Sequence, residues 1–157
     1  SGSRTPRSRR PRPRATPPPA SAADVTHEKE IEIRWRDLDA FNHVNHVVFL
    51  TYLEEVRDEW LGRVLQDSAL VWGYVIARVE IDYRRELTLE DDAVVARCSL
   101  ERLGTKSVTT RESIVTRDGE TCAEAQAVLV ARDEKTGGSR VISDVERAAF
   151  EQAAVGA

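Results

Sequence analysis

The chain has no methionine, only two cysteines, and no apolar run approaching the ~18 residues that a membrane span needs. No membrane-crossing helix is therefore expected, and no apolar signal-peptide core is visible near the start. The cysteines, Cys98 and Cys122, fall in stretches that read as strands. Their spacing suits neither a metal site nor a redox pair. Small buried thiols in a reducing, cytoplasmic compartment are the expectation. Without methionine, Ser1 is expected not to be a native initiator.

Acid is missing from the first 23 residues, and so is any large apolar side chain. Ser1 to Ala23 is a Pro/Arg/Ser/Ala segment with arginines at 4, 7, 9, 10, 12 and 14. Of the 23 basic residues six lie here, which leaves 17 against 27 acids in the rest, a net −10. A segment that cannot bury apolar surface is expected to be disordered. Its charge suits nucleic acid or acidic lipid, but a solvated extension is the simpler reading. An acidic body argues against nucleic acid as the main partner. Three regions are expected: a tail over 1–23, one folded domain over 24–135, and a C-terminal loop with a short helix over 136–157.

The body reads as strand, long helix, then strands. Residues 28–35 alternate, with Ile31, Ile33 and Trp35 against Lys29, Glu32 and Arg34. An Asp-Leu-Asp-Ala-Phe-Asn loop follows, and Asn45 or His46 stands where a helix cap belongs. Residues 47–65 carry a stripe of Phe49, Leu53, Val56, Trp60 and Val64, with Glu54, Glu55, Arg57, Asp58 and Glu59 mostly on the other side. Such a helix is about 28 Å long and needs a broad apolar partner, most simply a sheet face. Four more strands are expected, over 71–83, 93–102, 106–117 and 120–132, the last two joined by an Asp118-Gly119 hairpin. The alanines of 120–132 leave a helix open there. The fold class is α+β: an antiparallel sheet wrapped around one long helix. Exposed sheet edges predict a dimer.

Two carboxylates and two histidines crowd the strand-to-helix loop. Asp37-x-Asp39-x-x-x-His43-Val44-Asn45-His46, with Arg34-Trp35 before it and Phe49-Leu50-x-Tyr52-Leu53-Glu54-x-x-Arg57 after it, resembles the hotdog-fold acyl-CoA thioesterases of the 4-hydroxybenzoyl-CoA thioesterase-like group. Ile81-Asp82-Tyr83-Arg84-Arg85-Glu86-Leu87-x-x-x-Asp91 is a second, weaker match. The resemblance covers roughly 28–132. It implies a five- or six-stranded sheet around the helix, a dimer or tetramer, and active sites at the subunit interface. It makes Asp39 the catalytic carboxylate. His46 falls where relatives place Tyr or His beside the thioester, and Asn45 matches the common His-Val-Asn pattern. Asn42 replaces a common glycine. Other hotdog branches draw the carboxylate from the helix, which points to Glu54 or Glu55.

Thioester hydrolysis suits these residue types. A carboxylate activates water or attacks the carbonyl itself, and a thiolate leaves without strong acid help. Helix-start N–H groups suit an oxyanion. The competing reading of Asp39 is an ordinary turn aspartate. Asp37 is expected to brace the loop. His43 and His46 form an H-x-x-H pair, but nothing else in the chain supplies further metal ligands, so no metal or cofactor is expected. Arg84, Arg85 and Lys106 are the candidates for coenzyme A phosphates, although each also reads as a solvated strand-end charge. Phe41, Phe49, Tyr52 and Trp72 are either core or acyl-pocket lining. The substrate expected is an acyl-CoA, with acyl-carrier protein open as the other carrier. A hotdog enoyl-CoA hydratase or dehydratase, and a non-catalytic acyl-CoA-binding module, are the alternatives.

Overall fold

The computed structural model describes residues 26–155, so the basic segment over 1–23 and the disorder expected of it lie outside the described residues. The chain forms β1 (His27–Glu32), a short 3-10 turn (Trp35–Asp37), the long helix α1 (His46–Leu65), one helical turn α2 (Ser68–Val71), β2 (Tyr74–Tyr83), a second 3-10 turn (Leu89–Asp91), β3 (Ala93–Leu103), β4 (Ser107–Thr116), β5 (Thr121–Ala131) and α3 (Asp144–Val155). The strands make one antiparallel five-stranded sheet in the order β1-β3-β4-β5-β2. It packs on α1 as the resemblance implied.

The expected stripe is the buried face of α1: Phe49, Leu53, Val56 and Trp60, joined by Tyr52, Leu61 and Leu65, all lie in the core. Opposite them Ala123, Ala125, Ala127, Leu129 and Ala131 alternate inward from β5. The alanine-rich segment is a strand because both its edges are paired, to β4 and to β2. The helix comes closest to β3, with β1 and β4 beside it. In β2 the register slips between Ile76 and Arg78, leaving Ala77 without a partner. That bulge switches the inward parity from Tyr74 to Val79 and Ile81.

Three features differ from the expected pattern. Residues 33–35 leave the strand, because Arg34 caps the turn that Asp37 closes. Residues 71–73 are not strand; Asp67 caps α2, and β2 starts at Tyr74. Arg57, placed with the polar residues by spacing, is buried and pairs with Glu112 on β4 at 2.7 and 2.9 Å. Thr110 donates to the same carboxylate at 2.6 Å.

The C-terminal segment closes one end of the core. Phe150 of α3 meets Trp60 and Tyr74 at ring distances of 5.9 and 5.8 Å. Glu146, 1% exposed, receives both Arg140 guanidinium nitrogens at 2.7 Å, the Ser143 N–H at 2.9 Å and hydroxyl at 2.8 Å, and the Tyr74 hydroxyl at 3.1 Å. Burial pushes its carboxyl up, but these donors outweigh burial and hold it at about 2 instead of the ordinary 4.5. A depressed carboxyl stabilises the fold above its unfolded pKa and loses that contribution as pH falls through the folded value. Glu146→Gln is expected to lose about 3 kcal/mol at neutral pH, by linkage. Urea midpoints taken along a pH series check this. The gap to wild type should close between about pH 4.5 and 2, and a gap constant across that range would contradict it.

Candidate active site

The loop from Asp37 to Asn45 is tied at each end. Asn45 N–H donates to Asp37 O at 2.9 Å, Leu38 bridges Val44, and Val44 N–H donates to Leu87 O at 2.8 Å. At its tip Asp39 N–H donates to His43 O at 2.9 Å and Asn42 N–H donates to Asp39 O at 3.0 Å. Asn42 sits at φ 60°, a left-handed conformation that asparagine tolerates better than most residues. Asparagine therefore serves here with less strain than most side chains would bring.

The two aspartates divide the work. Asp37 is buried and accepts from the Tyr52 hydroxyl at 2.6 Å and from the Arg34 N–H and Nε at 2.9 and 3.3 Å. Burial pushes its carboxyl up, yet the Tyr52 and Arg34 donors prevail and hold it below the ordinary carboxylate value. It braces the loop against α1. Asp39 uses Oδ1 to accept from the Phe41 N–H at 2.9 Å, the turn aspartate foreseen as its simpler role. Among the described residues its Oδ2 has no hydrogen-bond partner.

Asp39 lines an open cleft of about 350 Å³ together with His43, His46, Phe49, Tyr83, Arg84, Arg85 and Glu86. Asn45 caps α1, its side chain accepting from Val47 N–H at 3.0 Å, which sets where the helix begins and where His46 projects. Tyr83 donates to His46 O at 2.9 Å and meets the rings of His46 and Phe49 edge-on at 6.3 and 5.3 Å. The His43 Nε2 lies 3.4 Å from a Glu86 oxygen.

The structure thus brings Asp39, His46, Arg84 and Arg85 to one place. The Arg84 and Arg85 N–H groups both donate to Cys122 O, so the end of β5 holds that rim. Their guanidinium groups are already engaged: Arg84 with Glu124 at 3.0 Å and Asp82 at 3.7 Å, Arg85 with Asp91 at 2.9 Å and Glu120 at 3.0 Å. Lys106 stands apart, in the turn between β3 and β4, donating to Ser139 Oγ at 3.4 Å. Glu54 and Glu55 do not line the cleft; Glu55 lies 4.0 Å from Lys29. Phe49 and Tyr52 belong to the core, whereas Phe41 and Trp72 are exposed. His43, Tyr83 and Glu86 were not singled out as site residues from the sequence, although Tyr83 and Glu86 stand in the second matching patch. Among the described residues no group of three or more His, Cys, Asp or Glu is placed to hold a metal ion.

The profile of the Thioesterase-like superfamily matches residues 33–154. The long-chain acyl-CoA thioesterase FadM of Escherichia coli (strain K12) is 30% identical over 132 residues, covering 80% of this chain and 97% of that protein. A thioesterase from Thermus thermophilus, crystallised with coenzyme A and Zn, superposes with a TM-score of 0.75 at 28% identity, covering 85% of this chain and 96% of its own. A DHNA-CoA thioesterase from Staphylococcus aureus superposes with a TM-score of 0.71 over 81% of this chain and 89% of its own; at 16% identity it speaks to the fold alone.

Proposed function

The chain belongs to the thioesterase-like superfamily, and from that membership we propose that it hydrolyses acyl-CoA thioesters to the free acid and coenzyme A. The thioesterase resemblance of the 34–57 motif is borne out, and so is the hotdog architecture. What supports a residue assignment is the single cleft that Asp39 shares with His46, Arg84 and Arg85.

Asp39 Oδ2 either takes a proton from water as it attacks the thioester carbon or attacks that carbon itself. In the first case the new C–O bond forms to water and the C–S electrons leave on sulfur. In the second a mixed anhydride forms first, and water then cleaves it. His46 stands beside the reacting carbon. Asn45 orders the first turn of α1, whose N-terminal dipole favours the developing oxyanion.

Arg84 and Arg85 take the phosphate-bearing end of the substrate. The Arg84 pairs with Glu124 and Asp82 are exposed, and such pairs are worth about 0–1 kcal/mol, so a phosphate displaces them at little cost. Arg85 keeps its part-buried bond to Asp91 and offers its other face. Lys106 contributes to phosphate binding only for a ligand that reaches the β3–β4 turn. A carrier-protein thioester presents the same reacting group.

The β2 edge, with Val75 and Ile76 exposed, suits pairing with a second copy, and a homodimer or a tetramer of such dimers is the proposed assembly. Among the described residues no helix is long and apolar enough to cross a membrane. A cytoplasmic site of action is proposed.

Thiol release from a panel of acyl-CoAs by the purified full chain tests the activity; no release from any member would refute it. Arg84→Ala is expected to raise KM for acyl-CoA by about 3- to 10-fold, the range of an exposed charged contact, and to leave KM for the matching acyl-pantetheine unchanged. Equal effects on both thioesters would remove Arg84 from the phosphate site.

A further inference from the structure

The end of the sheet away from Asp39 is assembled from four segments. Arg132 N–H donates to Gly73 O at 2.7 Å, which sets Trp72, at the end of α2, beside the exit of β5. Ile142 N–H donates to Thr105 O at 3.0 Å, and the Arg147 side chain donates to Gly104 O at 2.7 Å. These bonds set Val141 and the start of α3 beside the β3–β4 turn. Lys106 O accepts from Ala131 N–H at 2.9 Å and joins that turn to β5.

This end is both bare and basic. Trp72 is 78% exposed, Val145 76% and Val141 58%. Among them stand four exposed cations, Arg102, Lys106, Arg132 and Lys135. None has a carboxylate partner among the described residues, and Lys106 reaches only Ser139 Oγ, at 3.4 Å. Asp133 turns its Oδ1 into its own loop, accepting from Lys135 N–H at 2.9 Å and Thr136 N–H at 2.8 Å. Glu134 and Asp144 are exposed here too, and the excess stays positive, although residues 24–157 together carry a net −10. β1 runs away from this end, from His27 opposite Cys98 to Glu32 opposite Ala93, so the chain enters β1 from this side.

We propose that this end docks the protein on an anionic lipid surface. Trp72, Val141 and Val145 enter the headgroup layer, and Arg102, Lys106, Arg132 and Lys135 meet lipid phosphates. The amphipathic ring of tryptophan favours that layer. Separate apolar side chains spaced among cations suit a fluid phosphate layer, which conforms to them, whereas a protein partner would need a matching relief. Each basic side chain brought near an anionic surface favours binding by about fivefold, and the six arginines at 4–14 add to the same attraction. β2 runs ten residues from Tyr74 at this end to Tyr83 in the wall of the Asp39 cleft, a distance of about 30 Å. A docked protein therefore keeps that cleft clear of the lipid and open to solution.

Two measurements on the full chain test it, with vesicles of phosphatidylcholine alone and of equal parts phosphatidylcholine and phosphatidylserine. The first is cosedimentation, expected with the mixed vesicles only and weakened as salt screens the charges. Lys106→Ala combined with Arg132→Ala should lower the affinity by about 25-fold, two charges at about fivefold each. Arg111→Ala removes a cation that pairs with Glu101 elsewhere on the sheet and should leave the affinity as it is. The second is tryptophan fluorescence. The mixed vesicles should shift the emission to the blue; Trp72→Phe should abolish the shift and Trp35→Phe should keep it. No sedimentation with the mixed vesicles, or a shift that survives Trp72→Phe, overturns the proposal. So does full sedimentation of the Lys106→Ala, Arg132→Ala variant, which would give the attraction to the arginines at 4–14 alone. So does a changed oligomeric state of that variant without lipid, seen by light scattering, which would give this end to a second copy of the chain. Neither measurement involves turnover, so a failure to release thiol would sink the hydrolase reading and leave the docking standing.

Discussion

Asp39→Asn will lower kcat for acyl-CoA hydrolysis by about 10³-fold, in the range that loss of a general base produces. Asparagine keeps the side-chain oxygen that accepts from Phe41 N–H, so the loop retains its turn. What it loses is the charge on the other oxygen, and with it both proton abstraction and attack on carbon. The expected result is a fall in kcat with little change in melting temperature, read by thiol release and circular dichroism on the same samples. A burst of thiol ahead of free acid in the wild type would mark the anhydride route; simultaneous release would mark activated water. If Asp39→Asn turns over within tenfold of wild type, Asp39 is only a turn residue. The helix carboxylates Glu54 and Glu55 would then be the next to replace.

The second large effect concerns stability. Arg57→Ala will destabilise the fold by about 3–5 kcal/mol, because it strands a buried carboxylate. Glu112 is 2% exposed and would keep only the Thr110 hydroxyl. In a chain of this size that is about 10 °C or more in melting temperature. Burial alone disfavours the Arg57 charge, but the two bonds it donates to Glu112 outweigh burial and hold the guanidinium firmly protonated. Arg57→Leu combined with Glu112→Leu should cost much less than Arg57→Ala, since the pair stabilises mainly by each partner neutralising the other. Urea titrations of the single and double variants measure this. A single-variant loss below about 1 kcal/mol would contradict a buried, mutually dependent pair.

This pair also shows what the sequence could display. The long amphipathic helix and the hairpin strands are written in local spacing. The β4–β5 hairpin falls where expected, but Gly119 N–H closes the turn onto Thr116 O, so Arg117 and Asp118 are its central residues and Gly119, at φ 89°, follows them. Motif resemblance pointed to Asp39 and His46, whose shared cleft is a matter of one loop and one helix start. Arg57 was read as surface because periodicity reports polarity and not partners. Its partner lies 55 residues on, in strand β4. Glu146 is hidden for the same reason: five donors from Tyr74, Arg140 and Ser143 make a carboxylate welcome in the interior. The first strand ends early because Asp37 draws Arg34 into a turn, a side-chain bond that alternation does not encode. His43 and Glu86 meet only because Val44 is tied to Leu87, a contact between two loops far apart in the chain.

Hydrolysis of an acyl-CoA liberates a free thiol beside the protein at every turnover. Cys98 and Cys122 are both fully enclosed, and burial pushes both thiols above their ordinary values. Disulfide exchange needs an accessible thiolate. The protein therefore keeps no reactive sulfur where oxidised coenzyme A could attach, and it should work through many cycles in a thiol-rich, intermittently oxidising medium without becoming conjugated to its own product.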